Sequence, residues 1–176
     1  FGRIAGLSTD GTPTLLFYLF SNAAWSLFDS SVRSCAETFT HNASIMSKVY
    51  FPRLVMPISN LLYALIRFAL QMLPALGFYI RVNPGHLILL PAALLQMSMI
   101  GFGAGIIVAS LTTKYRDLHI LVRFGITLWM YAPPVVYPLS AVGGDASFWV
   151  RLNPVTAPME LVRYSLWGKG TLSAQM

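Results

Sequence analysis

The feature that most constrains this chain is an unbroken run of uncharged residues from Leu87 to Leu111. A lipid-spanning helix needs about 20 mostly apolar residues, because a rise of about 1.5 Å per residue must cover about 30 Å of hydrocarbon. The composition agrees, since 56% of the residues are hydrophobic and only 10% are charged, against roughly 25% charged in an average soluble domain. An ordinary soluble fold is therefore excluded, because too few charged side chains are present to cover its surface.

Three further segments are apolar over a similar length. We therefore predict an all-α fold, a polytopic membrane helix bundle with four full spans in one transmembrane domain. The spans are predicted at 14–32, 54–80, 87–111 and 118–139. Pro133 and Pro134 should break the fourth helix, because proline lacks the backbone N–H and clashes with the preceding turn.

The positions of the basic residues predict how the spans are oriented. Short loops rich in Lys and Arg stay on the cytoplasmic side, so loop 33–53 and the loop holding Lys114 and Arg116 should face the cytoplasm. The N-terminal segment then lies outside. Since the chain begins at Phe1 rather than at a methionine, we expect it to be a piece of a longer protein.

The net charge of +6 could indicate nucleic-acid binding, but the distribution of the basic residues disfavours it. Nucleic-acid proteins gather basic residues on one face, whereas here they stand scattered at the ends of apolar runs. We also find no cluster with metal-ligand spacing, no phosphate-binding loop and no catalytic set. The sequence therefore predicts no nucleic-acid partner, no cofactor in this chain and no ATP hydrolysis by it.

Two helix patterns indicate how the segments pack. In the third span Gly101, Gly105 and Ala109 repeat every fourth residue, which leaves a flat strip where another helix can approach closely. In region 141–167 four apolar residues mark one helical face, with Glu160 and Arg163 off that face. They are Val155, Met159, Val162 and Leu166. This pattern predicts an amphipathic helix at the outer membrane interface.

Arg67 stands near the middle of the second predicted span. A charge at that depth is costly and by default marks a functional group that faces a polar interior or a partner. The alternative is a structural ion pair or a side chain that snorkels toward the interface. The sequence leaves both interpretations open.

Four segments carry a resemblance to a known family. They are Lys48-Val49-Tyr50-Phe51-Pro52-Arg53, Tyr115-Arg116-Asp117, Pro134-Val135-Val136-Tyr137-Pro138, and Leu152-Asn153-Pro154 followed by Glu160 and Arg163. In this order, and on the predicted sides of the membrane, they resemble the membrane subunit of bacterial polysaccharide exporters. These are type-2 permeases of the ATP-binding cassette superfamily, which export O-antigen, capsule or teichoic acid.

The resemblance implies an architecture and partners. The family has six spans with both termini in the cytoplasm, so the four spans here would be its second to fifth in the bacterial inner membrane. Two permeases, as a homodimer, would work with two ATPase subunits, which bind ATP and Mg. The cargo would be a lipid-linked polysaccharide that moves among membrane lipids.

The resemblance also implies roles for particular residues. The loop coupled to the ATPase would contain Arg33, Lys48, Tyr50, Phe51, Pro52 and Arg53, and the second cytoplasmic loop would contain Tyr115, Arg116 and Asp117. The periplasmic gate, formed by re-entrant helices in 141–167, would include Asn153, Pro154, Glu160 and Arg163. Candidate channel residues are Trp129, Tyr131 and Tyr137, because aromatic faces suit the C–H surfaces of sugars. Arg67 is a further candidate, because its charge lies near the middle of a predicted span.

Alternatives remain for these roles and for the function. The three aromatic residues could instead pack between helices. Arg33, Lys48 and Arg53 could instead contact the pyrophosphate of a carrier lipid or serve as an orientation signal. As a whole, the chain could belong to an exporter of a drug or smaller lipid. It could also be a membrane-embedded transferase of glycan assembly.

Overall fold

A computed structural model describes residues 14–41, 52, 54–77, 88–115, 117–139 and 142–167. These residues form six helices and contain no strand. The helices are α1 Thr14–His41, α2 Val55–Gly77, α3 Leu89–Lys114, α4 Leu118–Trp129, α5 Asp145–Leu152 and α6 Thr156–Trp167. The all-helical prediction is confirmed for this part of the chain.

Helix α1 lies at the centre of the fold, where it contacts α2, α3, α4 and α6. Its apolar side chains fill the core, and those of Phe20 and Phe28 have no exposed surface. With 28 residues it is about 42 Å long. A helix of that length extends past a hydrocarbon layer of about 30 Å.

Helix α1 continues through His41, past the predicted end of the first span at residue 32. No glycine or proline stands between Val32 and His41 to end the helix. The carboxylate of Asp29 also accepts a 2.6 Å bond from Arg33 one turn later, a spacing that stabilises helices. Arg33 therefore lies within α1 rather than in a loop.

The glycine strip predicted in α3 is confirmed, and its partner is α1. A Cβ added at Gly101 would lie 2.8 Å from the Cβ of Ser31, and one at Gly105 would lie 2.5 Å from the Cβ of Cys35. Both glycines are buried, and Ala109 is 1% exposed. Since residues one turn later in α3 meet residues one turn later in α1, the two helices run in the same direction.

Among the described residues, two helices are long and apolar enough to cross a membrane, namely Val55–Leu73 within α2 and Leu89–Thr112 within α3. They correspond to the second and third predicted spans. The predicted end of the second span, at residue 80, lies outside the described residues. Many large apolar side chains on these two helices are exposed, including Leu62 and Leu95, as expected for surfaces that meet lipid.

The fourth predicted span is broken, as the prolines require. Helix α4 ends at Trp129, and the turn bonds Tyr131 N–H to Leu128 O and Ala132 N–H to Trp129 O close it. An irregular segment, 130–139, follows. The 12 residues of α4 rise about 18 Å, which is too short for a helix to cross the hydrocarbon layer alone.

Helix α6 confirms the predicted apolar face and corrects the placement of its polar residues. Val155, Met159, Val162 and Leu166 are at most 2% exposed. Glu160 and Arg163, expected away from the buried face, are also buried, because they pair with each other and with polar groups of neighbouring segments. Exposed apolar side chains lie instead on α5, at Phe148, Trp149 and Leu152.

Candidate functional site

A buried ion pair joins α6 to α1. Nη1 of Arg163 donates to Oε1 of Glu160 at 3.0 Å, and the two side chains are 6% and 7% exposed. The guanidinium also donates to Oγ of Ser21, from Nη2 at 2.8 Å and from Nε at 3.3 Å. A third acceptor of its protons is the carbonyl oxygen of Pro134. One side chain thus connects α6, α1 and segment 130–139.

The surroundings explain how this charge pair is tolerated away from water. A buried ion pair is stable only when further hydrogen bonds satisfy its remaining donors and acceptors, and Arg163 donates to two acceptors besides Glu160, namely Ser21 and the carbonyl of Pro134. The centroid of the Phe17 ring also lies 4.1 Å from Cζ of Arg163, a distance at which aromatic rings attract cations. We call Phe17, Ser21, Pro134, Glu160 and Arg163 the arginine cluster.

Asn153 and Pro154, predicted as gate residues, form the turn between α5 and α6. The side-chain Oδ1 of Asn153 accepts a bond from the N–H of Val155 at 3.1 Å. The hydroxyl of Thr156 donates to the carbonyl of Val150 at 2.6 Å. These bonds hold α5 at a defined angle to α6, so the two helices form one hairpin fastened by the arginine cluster.

A second set of charges connects the other half of α1 to α4. Arg33 is paired with Asp29 and donates from Nη2 to Oγ1 of Thr127 at 3.1 Å and to the carbonyl of Arg123 at 3.4 Å. Nη2 of Arg123 donates to Oε1 of Glu37 at 2.8 Å. We call these five residues the charge ladder. Its two acids and two bases sum to zero net charge.

A cleft runs between α1 and the chain from Thr127 to Val136. One part has a volume of about 490 Å³ and a mostly apolar lining of Leu15, Tyr18, Leu19, Asn22, Met130, Tyr131, Val135 and Val136. The next part has about 260 Å³ and a polar lining of Asn22, Trp25, Ser26, Asp29, Arg33, Thr127 and Met130. Asn22 and Met130 line both parts, so the cleft is continuous along α1.

The three candidate channel aromatics occupy different environments. The ring of Trp129 packs edge-on against Phe28 at 5.5 Å between centroids, which places it against the core. Tyr131 is 60% exposed and lines the cleft. The hydroxyl of Tyr137 donates to the carbonyl of Ala132 at 2.8 Å, which ties segment 130–139 to itself. The structure thus brings only Tyr131 to the cleft wall.

Arg67 is exposed on α2 and borders the face that carries buried Ala64 and Phe68. Its side chain makes no ion pair or hydrogen bond with any residue that the structure describes. It does not line the cleft. The structure therefore separates Arg67 from the other candidate channel residues.

The predicted cytoplasmic loops lie largely outside the described residues. This holds for Lys48, Tyr50, Phe51, Arg53 and Arg116. Pro52 is exposed, and its carbonyl accepts a bond from the N–H of Val55 at 3.0 Å, which begins α2. Tyr115 and Asp117 stand at the end of α3 and the start of α4 and are both exposed.

Sequence reasoning missed several polar residues of these sites. Asp29, Arg33 and Glu37 are spaced four apart, which places them on one helix face, and this pattern is visible in the sequence. No such signal marks Ser21, which stands 142 positions from Arg163. Among the described residues no group of three His, Cys, Asp or Glu could hold a metal ion.

Comparison with known proteins places this arrangement in a family. Residues 8–167 match the family described as ABC-2 type transporter. An "O-antigen export system permease protein RfbA" from Myxococcus xanthus is 30% identical over 153 residues, which cover 84% of this chain and 59% of that protein. A protein of the same name from Klebsiella pneumoniae is 30% identical over 162 residues, or 90% of this chain and 62% of that protein.

The chain spans about three fifths of the length of these curated relatives. The two long apolar helices among the described residues and the family match together indicate a membrane protein. Because the match covers nearly all of the sequence, the chain belongs to the ABC-2 type transporter family.

Proposed function

We propose that this chain is part of the transmembrane subunit of an ATP-driven exporter, which moves lipid-linked polysaccharide across the bacterial inner membrane. The observation that carries the proposal is the similarity, over 84–90% of the chain, to proteins named as O-antigen export permeases. Transport is also favoured over a transferase by the match to a transporter family.

In this proposal the chain crosses the membrane four times. The helices α1, α2 and α3 are three of the spans, and the fourth combines α4 with segment 130–139. Irregular backbone at membrane depth is tolerated where it is buried in protein or lines a cavity. Segment 130–139 meets this condition on both counts, since Val135 is 4% exposed and also lines the cleft.

We assign ATP hydrolysis, with ATP and Mg, to a separate ATPase subunit present in two copies, and no cofactor to this chain. A second permease copy completes the assembly as a homodimer. The length of α1 supports a coupling role for the segment that follows it, because the last turns of α1 project beyond the hydrocarbon layer. Lys48, Tyr50, Phe51, Pro52 and Arg53 would then contact the ATPase, and Tyr115, Arg116 and Asp117 would form the neighbouring loop.

The geometry also supports a path and a gate. The cleft between α1 and α4 would admit the glycan, with Tyr131 in its wall, and the α5–α6 hairpin would form the gate. Asn153 and Pro154 set the angle of that hairpin, and Glu160 and Arg163 fasten it to α1. Trp129 and Tyr137 would not line the path but would support its walls through their packing and hydrogen bonding. Arg67 would need a polar partner supplied by the assembled transporter.

The test is to delete the full-length gene in its host and to measure lipid-linked glycan on the cell surface and in the inner membrane. We expect glycan to accumulate inside and to disappear from the surface, and the wild-type gene to restore its distribution. An unchanged distribution in the deletion strain would contradict the proposal. It would favour export of a drug or smaller lipid instead.

A further inference from the structure

We propose that the polar part of the cleft is a binding site for a neutral sugar unit of the transported chain. The site is formed by Asn22, Ser26 and Trp25 of α1 with Thr127 of α4. This inference rests on the proposed export function and adds to it the residues that hold the cargo and the chemistry that they select.

The first argument is that the site contains polar groups without partners. Asn22 is exposed in the cleft and Ser26 is half-buried, and neither side chain makes a hydrogen bond within the part of the chain that the structure describes. A polar group without a hydrogen-bond partner is costly away from water, and the hydrocarbon of the bilayer contains no such partner. An amide and a hydroxyl side by side match the donors and acceptors of neighbouring sugar hydroxyls.

The second argument concerns charge. Arg33 lines the site, but its guanidinium is already held by Asp29 at 2.6 Å and by Thr127 at 3.1 Å. The opposite charges of Arg33 and Asp29 cancel inside the site. A phosphate or pyrophosphate would need an uncompensated cation, so the arrangement favours a neutral ligand over the anionic head of a carrier lipid.

The third argument is the apolar wall. A sugar ring has polar edges and apolar C–H faces, and aromatic side chains provide flat apolar surface with a polar handle. Trp25 lines the site with the 5% of its surface that is exposed, and it packs against Phe28, whose ring centroid lies 5.1 Å away. The volume of about 260 Å³ lies just below the usual range of about 300–1,000 Å³ for small-molecule sites. This size suits one ring, and the adjoining apolar part of the cleft leaves room for the chain to continue.

The direct test is photo-crosslinking in the host with the full-length permease and its ATPase. The photoreactive residue p-benzoyl-phenylalanine replaces Asn22 in one strain and Tyr63 in another. Tyr63 is 67% exposed on α2, outside the cleft, and serves as the control. We expect Asn22→p-benzoyl-phenylalanine to form an adduct that stains for glycan after irradiation, and Tyr63→p-benzoyl-phenylalanine to form none.

A second measurement follows the rate at which glycan appears on the cell surface. We expect the double variant Asn22→Leu/Ser26→Ala to lower this rate by about tenfold, with unchanged amounts of assembled transporter. Ser59→Ala is the matched control, because Ser59 is exposed on α2 and bonds only within its own helix, to the carbonyl of Met56. Its export rate should equal that of the wild type.

The outcomes separate the two proposals. If the wild-type gene does not restore surface glycan to the deletion strain, the export function itself is wrong. If it does, but Asn22→p-benzoyl-phenylalanine reacts only with protein, the site is covered by another helix or a second copy and the sugar site is wrong. Wild-type export by the double variant would overturn the sugar site as well.

Discussion

Charged side chains fasten both halves of α1, but the two clusters differ in how far they are removed from water. In the arginine cluster the side chains of Arg163 and Glu160 are 6% and 7% exposed. In the charge ladder Arg123 is 58% exposed and its partner Glu37 is 27% exposed. The first cluster attaches α6 to the first half of α1, and the second attaches α4 to the second half.

Burial determines how much the loss of one partner of each ion pair lowers the free energy of unfolding. Removing one partner from a buried ion pair costs about 3–5 kcal/mol, because the other charge stays behind unpaired. An exposed pair contributes only about 0–1 kcal/mol. Losing one charge should therefore weaken the contact of α6 with α1 more than that of α4 with α1, which also includes the packing of Trp129 on Phe28.

The largest effect is expected from breaking the arginine cluster. Arg163→Met removes the arginine from the buried ion pair with Glu160, so the free energy of unfolding should fall by about 3–5 kcal/mol. The measurement is unfolding of the full-length permease in mixed micelles of increasing SDS content. Arg151→Met is the matched control, because Arg151 is exposed on α5, and it should change the stability by less than about 0.5 kcal/mol.

A double variant separates loss of the pair from loss of the arginine side chain. Replacing Glu160 as well, in Glu160→Gln/Arg163→Met, removes the remaining charge of the pair. The double variant should therefore be more stable than Arg163→Met alone. If the two variants unfold at the same SDS content, the cost does not come from an uncompensated charge.

A smaller effect is expected from Ser21, the acceptor that α1 supplies to Arg163. Ser21→Ala removes an oxygen that accepts bonds of 2.8 and 3.3 Å. Hydrogen bonds to charged groups contribute about 1.5–3 kcal/mol, and the same unfolding experiment should show a loss in that range. Ser21→Thr keeps the hydroxyl and should retain most of the stability. Equal losses in both variants would show that packing, and not the bond, matters at this position.

The two clusters also differ in how well the sequence predicts them. Asp29, Arg33 and Glu37 are spaced for one helix face, so part of the ladder is visible as a local pattern. The arginine cluster is assembled by tertiary contacts between residues far apart in the chain, and no local pattern encodes such contacts. The same reasoning explains the outcome for α6, whose apolar face follows from spacing while the burial of its polar pair does not.

Helix positions were predictable where one strong local rule applies. The uncharged run predicted α3, and the glycine strip predicted a close contact with another helix. Pro133 and Pro134 predicted that α4 ends before them. The end of α1 was not predictable from hydropathy, because polar residues there continue the helix without being apolar. The cleft escaped prediction because Asn22 and Ser26 become neighbours of Thr127 only when α4 packs against α1.

Close packing with α3 gives the second half of α1 a further attachment, which a glycine substitution tests. A Cβ in Gly105→Ala would lie 2.5 Å from the Cβ of Cys35 and 3.1 Å from the carbonyl oxygen of Val32. Overpacking of this kind costs about 1–3 kcal/mol. Gly103→Ala is the matched control, since nothing lies within 4 Å of its added Cβ. Alanine also favours helix over glycine, so Gly103→Ala should unfold no earlier than the wild type.

A large loss in Gly105→Ala would show that apolar packing holds the second half of α1 more firmly than its ion pairs do. If instead Gly105→Ala is as stable as Gly103→Ala, α1 and α3 can separate slightly without cost. The close approach of the two helices would then contribute little to the stability of this half of α1.

The smallest effect is expected from the exposed end of the charge ladder. Arg123→Ala removes the 2.8 Å bond to Glu37, and the free energy of unfolding should fall by at most about 1 kcal/mol. A double-mutant cycle with Glu37→Gln isolates the pair, and its coupling energy should decrease as salt is added because exposed charges are screened. A coupling energy near that of a buried pair, unaffected by salt, would mean that the assembled transporter covers this end of α4. The contrast between a strong ion pair at α6 and a weak one at α4 would then fail, because both halves of α1 would be held by charges removed from water.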